Sequence, residues 1–189
     1  MATVLAERIV SKLIASSAVK EADRELYVYG FFLLITRFFF FLISIAFGFF
    51  WKIPCESVIF YIVFFLLRSY AGGIHVKTEM ACTAWTTLAF GVVIASIRII
   101  AQSDWIIMPL LILSNLSVFL FSPLGSKEKP LDNDEHRRYR KICCRYLLVF
   151  DMVIIVSLIL ACPALYSPVL CGMGLESMLL CIGKMCNYA

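Results

Sequence analysis

The stretch from Tyr27 to Trp51 carries one charged residue, Arg37, among aromatic and aliphatic side chains. A membrane-crossing helix needs about 20 mainly apolar residues, so this stretch is long enough to cross a bilayer. Further apolar runs follow at about 54–70, 81–101, 105–122, 147–164 and 165–184, the second and the last being marginal in length or polarity. Inside a bilayer every backbone N–H and C=O must find a partner within the protein, which leaves helices and closed barrels. Barrel strands alternate apolar and polar residues with period two, and these runs do not alternate. The expected fold is therefore an all-α integral membrane protein of about six transmembrane helices. Composition excludes the other classes. Apolar residues make up 62% of the chain and charged residues 16%, against about 45–50% and 25% in soluble domains. A small soluble globule cannot hide so much apolar surface, and neither a disordered chain nor a nucleic-acid-binding module has this profile.

Residues 1–26 read differently. Val4, Leu5, Ile9, Leu13 and Ile14 recur at three-to-four spacing, with Glu7, Arg8, Lys12, Lys20 and Arg24 between them. This pattern predicts an amphipathic helix, suited either to lying on a membrane face or to packing on the protein's own polar side. The remaining residues, 27–189, are expected to form one polytopic domain. Lysine and arginine placement sets the topology. The N-terminal segment and the loop expected at 123–146, which holds Lys127, Lys129, Arg137, Arg138, Arg140, Lys141 and Arg145, are the two basic regions. Four runs separate them, so both can face the cytoplasm, as can both termini and the polar segment 68–82. No cleavable leader is expected, since residues 1–28 are charged throughout.

The segment Arg68-Ser-Tyr-Ala-Gly-Gly-Ile-His-Val-Lys-Thr-Glu-Met-Ala-Cys82 is the least lipid-like part of the first half. It holds one of two histidines in the chain, His75; the other, His136, sits among solvated charges. Seven residues on a helix turn through about 700°, which puts His75 and Cys82 on one face but roughly 10 Å apart. Contact requires a break in the helix, and Gly72-Gly73 permit one. An imidazolium beside a thiol favours the thiolate nucleophile, and the imidazole can then protonate a leaving amine. Backbone N–H groups near Gly72 and Gly73 can bind an oxyanion. Arg68 can steady a carboxylate of a substrate or of Glu79, and Glu79 can orient the imidazole. Spacing alone favours a structural His–Cys pair, since one histidine and one cysteine within seven residues often occur by chance. Two ligands plus Glu79 fall short of a closed zinc site, so neither metal nor cofactor is expected.

Arg68, Gly72, Gly73, His75 and Cys82 together resemble the signature of the accessory gene regulator B (AgrB) family, membrane cysteine endopeptidases of peptide quorum sensing. Pro123 and Lys129-Pro130-Leu131 resemble a second, weaker motif of that family. The resemblance extends over nearly the whole chain. It implies Cys82 as nucleophile and His75 as base, acting on an AgrD-like precursor peptide with an amphipathic N-terminal part, a central signal and an acidic tail. It also implies removal of that tail through a Cys82 thioester, closure of a thiolactone or lactone ring, homodimers in the bacterial plasma membrane, and a site facing the cytoplasm. Lys129, Pro130, Arg137 and Arg138 are then candidates for substrate binding or structural support, since a basic segment attracts an acidic tail; ordinary positive-inside bias accounts for the same charges.

A competing class is a non-enzymatic membrane protein, a small transporter or a signalling scaffold, in which Arg37, Asp151 and Glu176 line a polar pathway. Charges inside a span are costly and usually partnered, and Asp151 is a candidate partner for Arg37.

Overall fold

The computed structural model describes residues 2–72, 79–125 and 132–188, apart from the side chains of Glu79, Cys82 and residues 186–188. Among the described residues the chain forms seven α-helices and no β-strand: α1 (Ala2–Ala15), α2 (Arg24–Phe50), α3 (Pro54–Ala71), α4 (Glu79–Ala101), α5 (Asp104–Phe121), α6 (Asn133–Ile159) and α7 (Pro163–Tyr188), with a 3-10 turn at Glu21–Asp23. Six of them, α2 to α7, are long and apolar enough to cross a membrane. This is the architecture of a multi-pass membrane protein. Contacts divide it into two compact units, Met1–Ile43 and Ser44–Ala189, with the division inside α2.

In the first unit α1 buries Ala6 and Val10 and leaves Val4, Leu5, Arg8 and Lys12 exposed. The amphipathic helix is shorter than the sequence pattern suggests. It stops at Ala15, with Ser17 at a φ of 60°. Arg24, at the start of α2, donates to Ser11 Oγ at 3.2 Å and to Glu21 Oε1 at 2.9 Å.

One stop signal recurs along the chain. After α2, Lys52 takes a φ of 59°, Ile53 N–H donates to Gly48 O at 2.8 Å, and Lys52 N–H donates to Phe49 O at 3.1 Å. After α6, Ala161 takes a φ of 48°, Cys162 N–H donates to Ser157 O at 2.8 Å, and Ala161 N–H donates to Leu158 O at 3.1 Å. These paired bonds around a left-handed residue satisfy the last carbonyls of a helix. Proline follows two residues later in both places, at Pro54 and Pro163, and opens the next helix at a position where no N–H is needed. The second turn corrects the sequence reading: the fifth span ends at Ile159, not near Ala164, because Pro163 belongs to α7.

The polar region read as a loop over 123–146 is also revised. From Asn133 onward it is the first half of α6. Asp132 caps that helix, its side chain accepting from Asn133 N–H at 2.8 Å, and Asp134 and Glu135 lie in the first turn, where carboxylates favour the helix dipole.

In the second unit α7 is the centre. It packs against α3, α4, α5 and α6. Of its apolar stretch 67% is buried, against 22–39% for those four neighbours. Lipid tails are as apolar as leucine, so helices in a bilayer associate through close packing of small residues rather than hydrophobic expulsion. Gly172 provides that approach to α3: a Cβ there would lie 2.9 Å from Val63 Cγ1 and 3.1 Å from Phe60 O. Around this contact Phe60, Leu67, Phe90, Leu170 and Met173 are fully buried, with Phe60 edge-on to Phe90 at 5.2 Å. Asn115 on α5 donates to Asp151 on α6 at 2.8 Å, so the Asp151 carboxylate is engaged between those helices. Connectivity puts the ends of α3, α5 and α7 and the starts of α4 and α6 at one end of this unit.

Two outcomes test this account by thermal unfolding in detergent micelles. Ala161→Gly relieves a left-handed alanine and should stabilise the protein by up to about 1 kcal/mol. Gly172→Val forces α3 and α7 apart and should destabilise it by about 1–3 kcal/mol.

Candidate functional site

At the end of α3 the backbone turns sharply at Gly72, with φ 79° and ψ −155°. Only glycine adopts this region readily. Space demands glycine as well, because a Cβ would run into the carbonyl oxygen of Leu124. Leu124 N–H donates to Ala71 O at 2.8 Å, and Gly72 and Leu124 form an isolated parallel bridge. The chain leaving α3 is thus stitched to the chain leaving α5, just after the cis Ser122–Pro123 bond. The two polar segments singled out from sequence, one after Arg68 and one after Pro123, therefore meet at the same end of the second unit.

Arg68 sits one turn before the end of α3. Its Nη1 donates to Gly72 O at 2.9 Å. The same nitrogen lies 3.9 Å from Glu176 Oε1 on α7. Arg68 is 26% exposed and Glu176 is completely buried. Neither oxygen of Glu176 has a hydrogen-bond partner among the described residues. Sequence reading gave Arg68 a carboxylate partner, in a substrate or in Glu79, whose side chain lies outside the described residues; among those described, the Glu176 carboxylate lies beside Arg68. The signal for Glu176 was present as a carboxylate within an apolar run, but it had been placed in a polar pathway rather than beside Arg68.

Next to this junction lies the polar half of α6. Tyr70 stands edge-on to Tyr139 at 5.7 Å and tilted to Tyr146 at 5.8 Å, so α3 and α6 meet through aromatic rings. Arg137 and Arg138 are exposed. Arg140 has a packing role, its guanidinium 5.3 Å from the centre of the Phe119 ring.

Cys82 is the fourth residue of α4, within the first turn, and Glu79 is the first. Their side chains, and the whole of Gly73, His75, Lys129 and Pro130, lie outside the described residues. The structure thus brings together Arg68, Gly72 and the α6 segment that carries Arg137 and Arg138, and it places the backbone of Cys82 at the helix start that follows this junction.

The family model described as accessory gene regulator B matches residues 6–182. An AgrB-like protein 2 of Clostridium perfringens is 24% identical over 164 residues, covering 80% of this chain and 77% of that protein. AgrB-like proteins of Listeria monocytogenes and Listeria innocua are each 26% identical over 140 residues, covering 72% of this chain and 68% of theirs. No solved structure matches the chain. With the match running through every helix described above, the chain belongs to the accessory gene regulator B family, whose role is in quorum-sensing peptide processing.

Proposed function

We propose that this protein is a membrane-embedded cysteine endopeptidase that removes the C-terminal tail of an AgrD-like precursor peptide. The observation that carries the reading is the family's signature residues, Arg68, Gly72, Gly73, His75 and Cys82, falling between the pinned end of α3 and the first turn of α4.

The chemistry runs in two exchanges. His75 takes the proton of Cys82, and the thiolate attacks the carbonyl carbon of the peptide bond before the tail. Backbone N–H groups near Gly72 and Gly73 hold the developing oxyanion. The C–N bond breaks as His75 gives its proton to the departing amine, leaving a thioester on Cys82. A cysteine or serine side chain of the peptide then displaces Cys82, its proton passing through His75 to the Cys82 sulfur, and a thiolactone or lactone ring closes. Arg137 and Arg138 attract the acidic tail, with Lys129 and Pro130 supporting the same segment. The site faces the cytoplasm by the positive-inside rule, in a compartment that keeps Cys82 reduced. Two chains act as a homodimer in the bacterial plasma membrane.

The test uses the precursor peptide encoded beside this chain, incubated with the protein in liposomes and read by mass spectrometry. Wild type should release the tail and show a peptide adduct on Cys82. Cys82→Ala should abolish both, and His75→Ala should slow release by about 10²–10⁴-fold. Full function with Cys82→Ser, and no tail release by wild type, would instead support a transporter or scaffold.

The role of α6 is tested by charge reversal at Arg137 and Arg138, leaving Arg140 on Phe119. KM for an acidic-tailed peptide should rise about tenfold at low salt and converge with wild type at high salt, because screening removes long-range attraction. A peptide with a neutralised tail should not distinguish the two proteins. Unchanged KM at low salt would leave only positive-inside bias as the reason for these charges.

A further inference from the structure

Glu176 is the one charged residue among the fully buried side chains of the described core. It sits on the most buried helix of the bundle, α7. Taking a carboxylate out of water costs several kcal/mol even after relaxation, and an ionisable residue at such a position marks function by default. A residue kept only for stability would form tight hydrogen bonds. Glu176 has none among the described residues, only Arg68 Nη1 at 3.9 Å. Arg68 in turn spends that nitrogen on Gly72 O. Gly72 is the last described residue before the segment that leads to His75 and Cys82.

We infer that Glu176 is a positioning residue for the reaction: its buried carboxylate holds the Arg68 guanidinium over the Gly72 carbonyl, and so fixes where the segment bearing His75 leaves α3. The inference rests on the endopeptidase reading and extends it to a residue on a different helix. Glu176 touches neither the thiol nor the substrate carbonyl in this scheme. It acts through Arg68. The arrangement also explains why a long, forked cation stands at residue 68. A guanidinium can donate to a carbonyl and face a carboxylate at once, whereas an ammonium is a compact point charge. The Leu124 N–H bonds the neighbouring carbonyl of Ala71, so two successive carbonyls at the exit of α3 are held, one by Arg68 of α3 and one by the chain after α5.

The experiment separates positioning from stability. Replacing a buried ion pair by apolar side chains of similar size often preserves or raises stability. The double variant Arg68→Met with Glu176→Met should therefore insert and unfold near the wild-type temperature. Its kcat for tail release should nevertheless fall about 100-fold, the cost of misplacing a reacting group by about 1 Å, with KM changed less than about threefold. Glu176→Gln should show the same split of kcat against KM. Alkylation of Cys82, followed site by site by mass spectrometry, should slow in both variants, which gives a readout independent of the peptide. A folded double variant with kcat within about threefold of wild type overturns the inference and leaves the endopeptidase reading standing. So does a loss of kcat that only tracks the loss of folded protein. A folded wild type that never cleaves the peptide overturns the endopeptidase reading, and the inference with it.

Discussion

The second unit depends on α7 lying close to its neighbours. In lipid, apolar surface gains little by leaving the tails for another helix, so the contact must come from shape. Gly172 lets α7 settle against Val63 and Phe60 of α3, and the aromatic cluster of Phe60, Phe64 and Phe90 closes over that approach. A bulkier α7 would still be an apolar helix of spanning length. It would no longer bring Glu176 within reach of Arg68, because the packing that buries Glu176 is the packing that sets the separation of α3 and α7.

That dependence links the core to the polar end of the molecule. Arg68 is anchored by α7 at its guanidinium and by α3 at its backbone. It passes this fixed geometry to Gly72 O. Leu124 supplies the second constraint from the chain after α5. A loop held only by its own ends would sample many exits from α3, each doubling of its length adding only about 0.6 kcal/mol of closure cost. Two bonds at successive carbonyls remove that freedom at its origin. Gly72 is the residue that tolerates the result, since its φ of 79° and the nearby Leu124 carbonyl both exclude a side chain.

Much of this was readable from residue order. The apolar runs correspond to the six helices of spanning length. Even span counting put the Arg68 segment and the Pro123 segment on one side, where the Gly72–Leu124 bridge joins them. Other features carried a signal that was outweighed. Pro163 is a helix-start residue, yet the apolar residues around it made Ala164 look like the end of a span. Asp132, Asp134 and Glu135 are a helix start too, but their charge and the arginines after them read as a solvated loop. Hydropathy reports which solvent a segment meets, and α6 meets both. The choice of Glu176 as the partner of Arg68 was not readable at all. The two residues come from opposite halves of the chain, and no periodicity encodes which side chain a packed helix will present to a distant arginine. The roles proposed for Cys82 and His75 rest on residue type, local spacing and family likeness alone, since His75 and the Cys82 side chain lie outside the described residues.

The position of the site at the end of a lipid-embedded bundle bears on the proposed chemistry. Exchange of one thioester for another is nearly balanced in energy, so ring closure has little driving force to compete with hydrolysis of the acyl-enzyme. The protein has to win that competition by excluding water and holding the internal nucleophile near the carbonyl. A rigid exit from α3 serves the second need, because the carbonyl bound to Cys82 can only be approached reliably if the segment opposite it does not wander. Under the proposed mechanism, the rings of Tyr70, Tyr139 and Tyr146, which join α3 to α6, serve the first. Under the same proposal, the exposed Arg137 and Arg138 at the start of α6 draw in the acidic tail. On this view the half-polar design of α6 is a division of labour along one helix: charge at its start for the acidic tail, and aromatic surface further on to keep water from the acyl group.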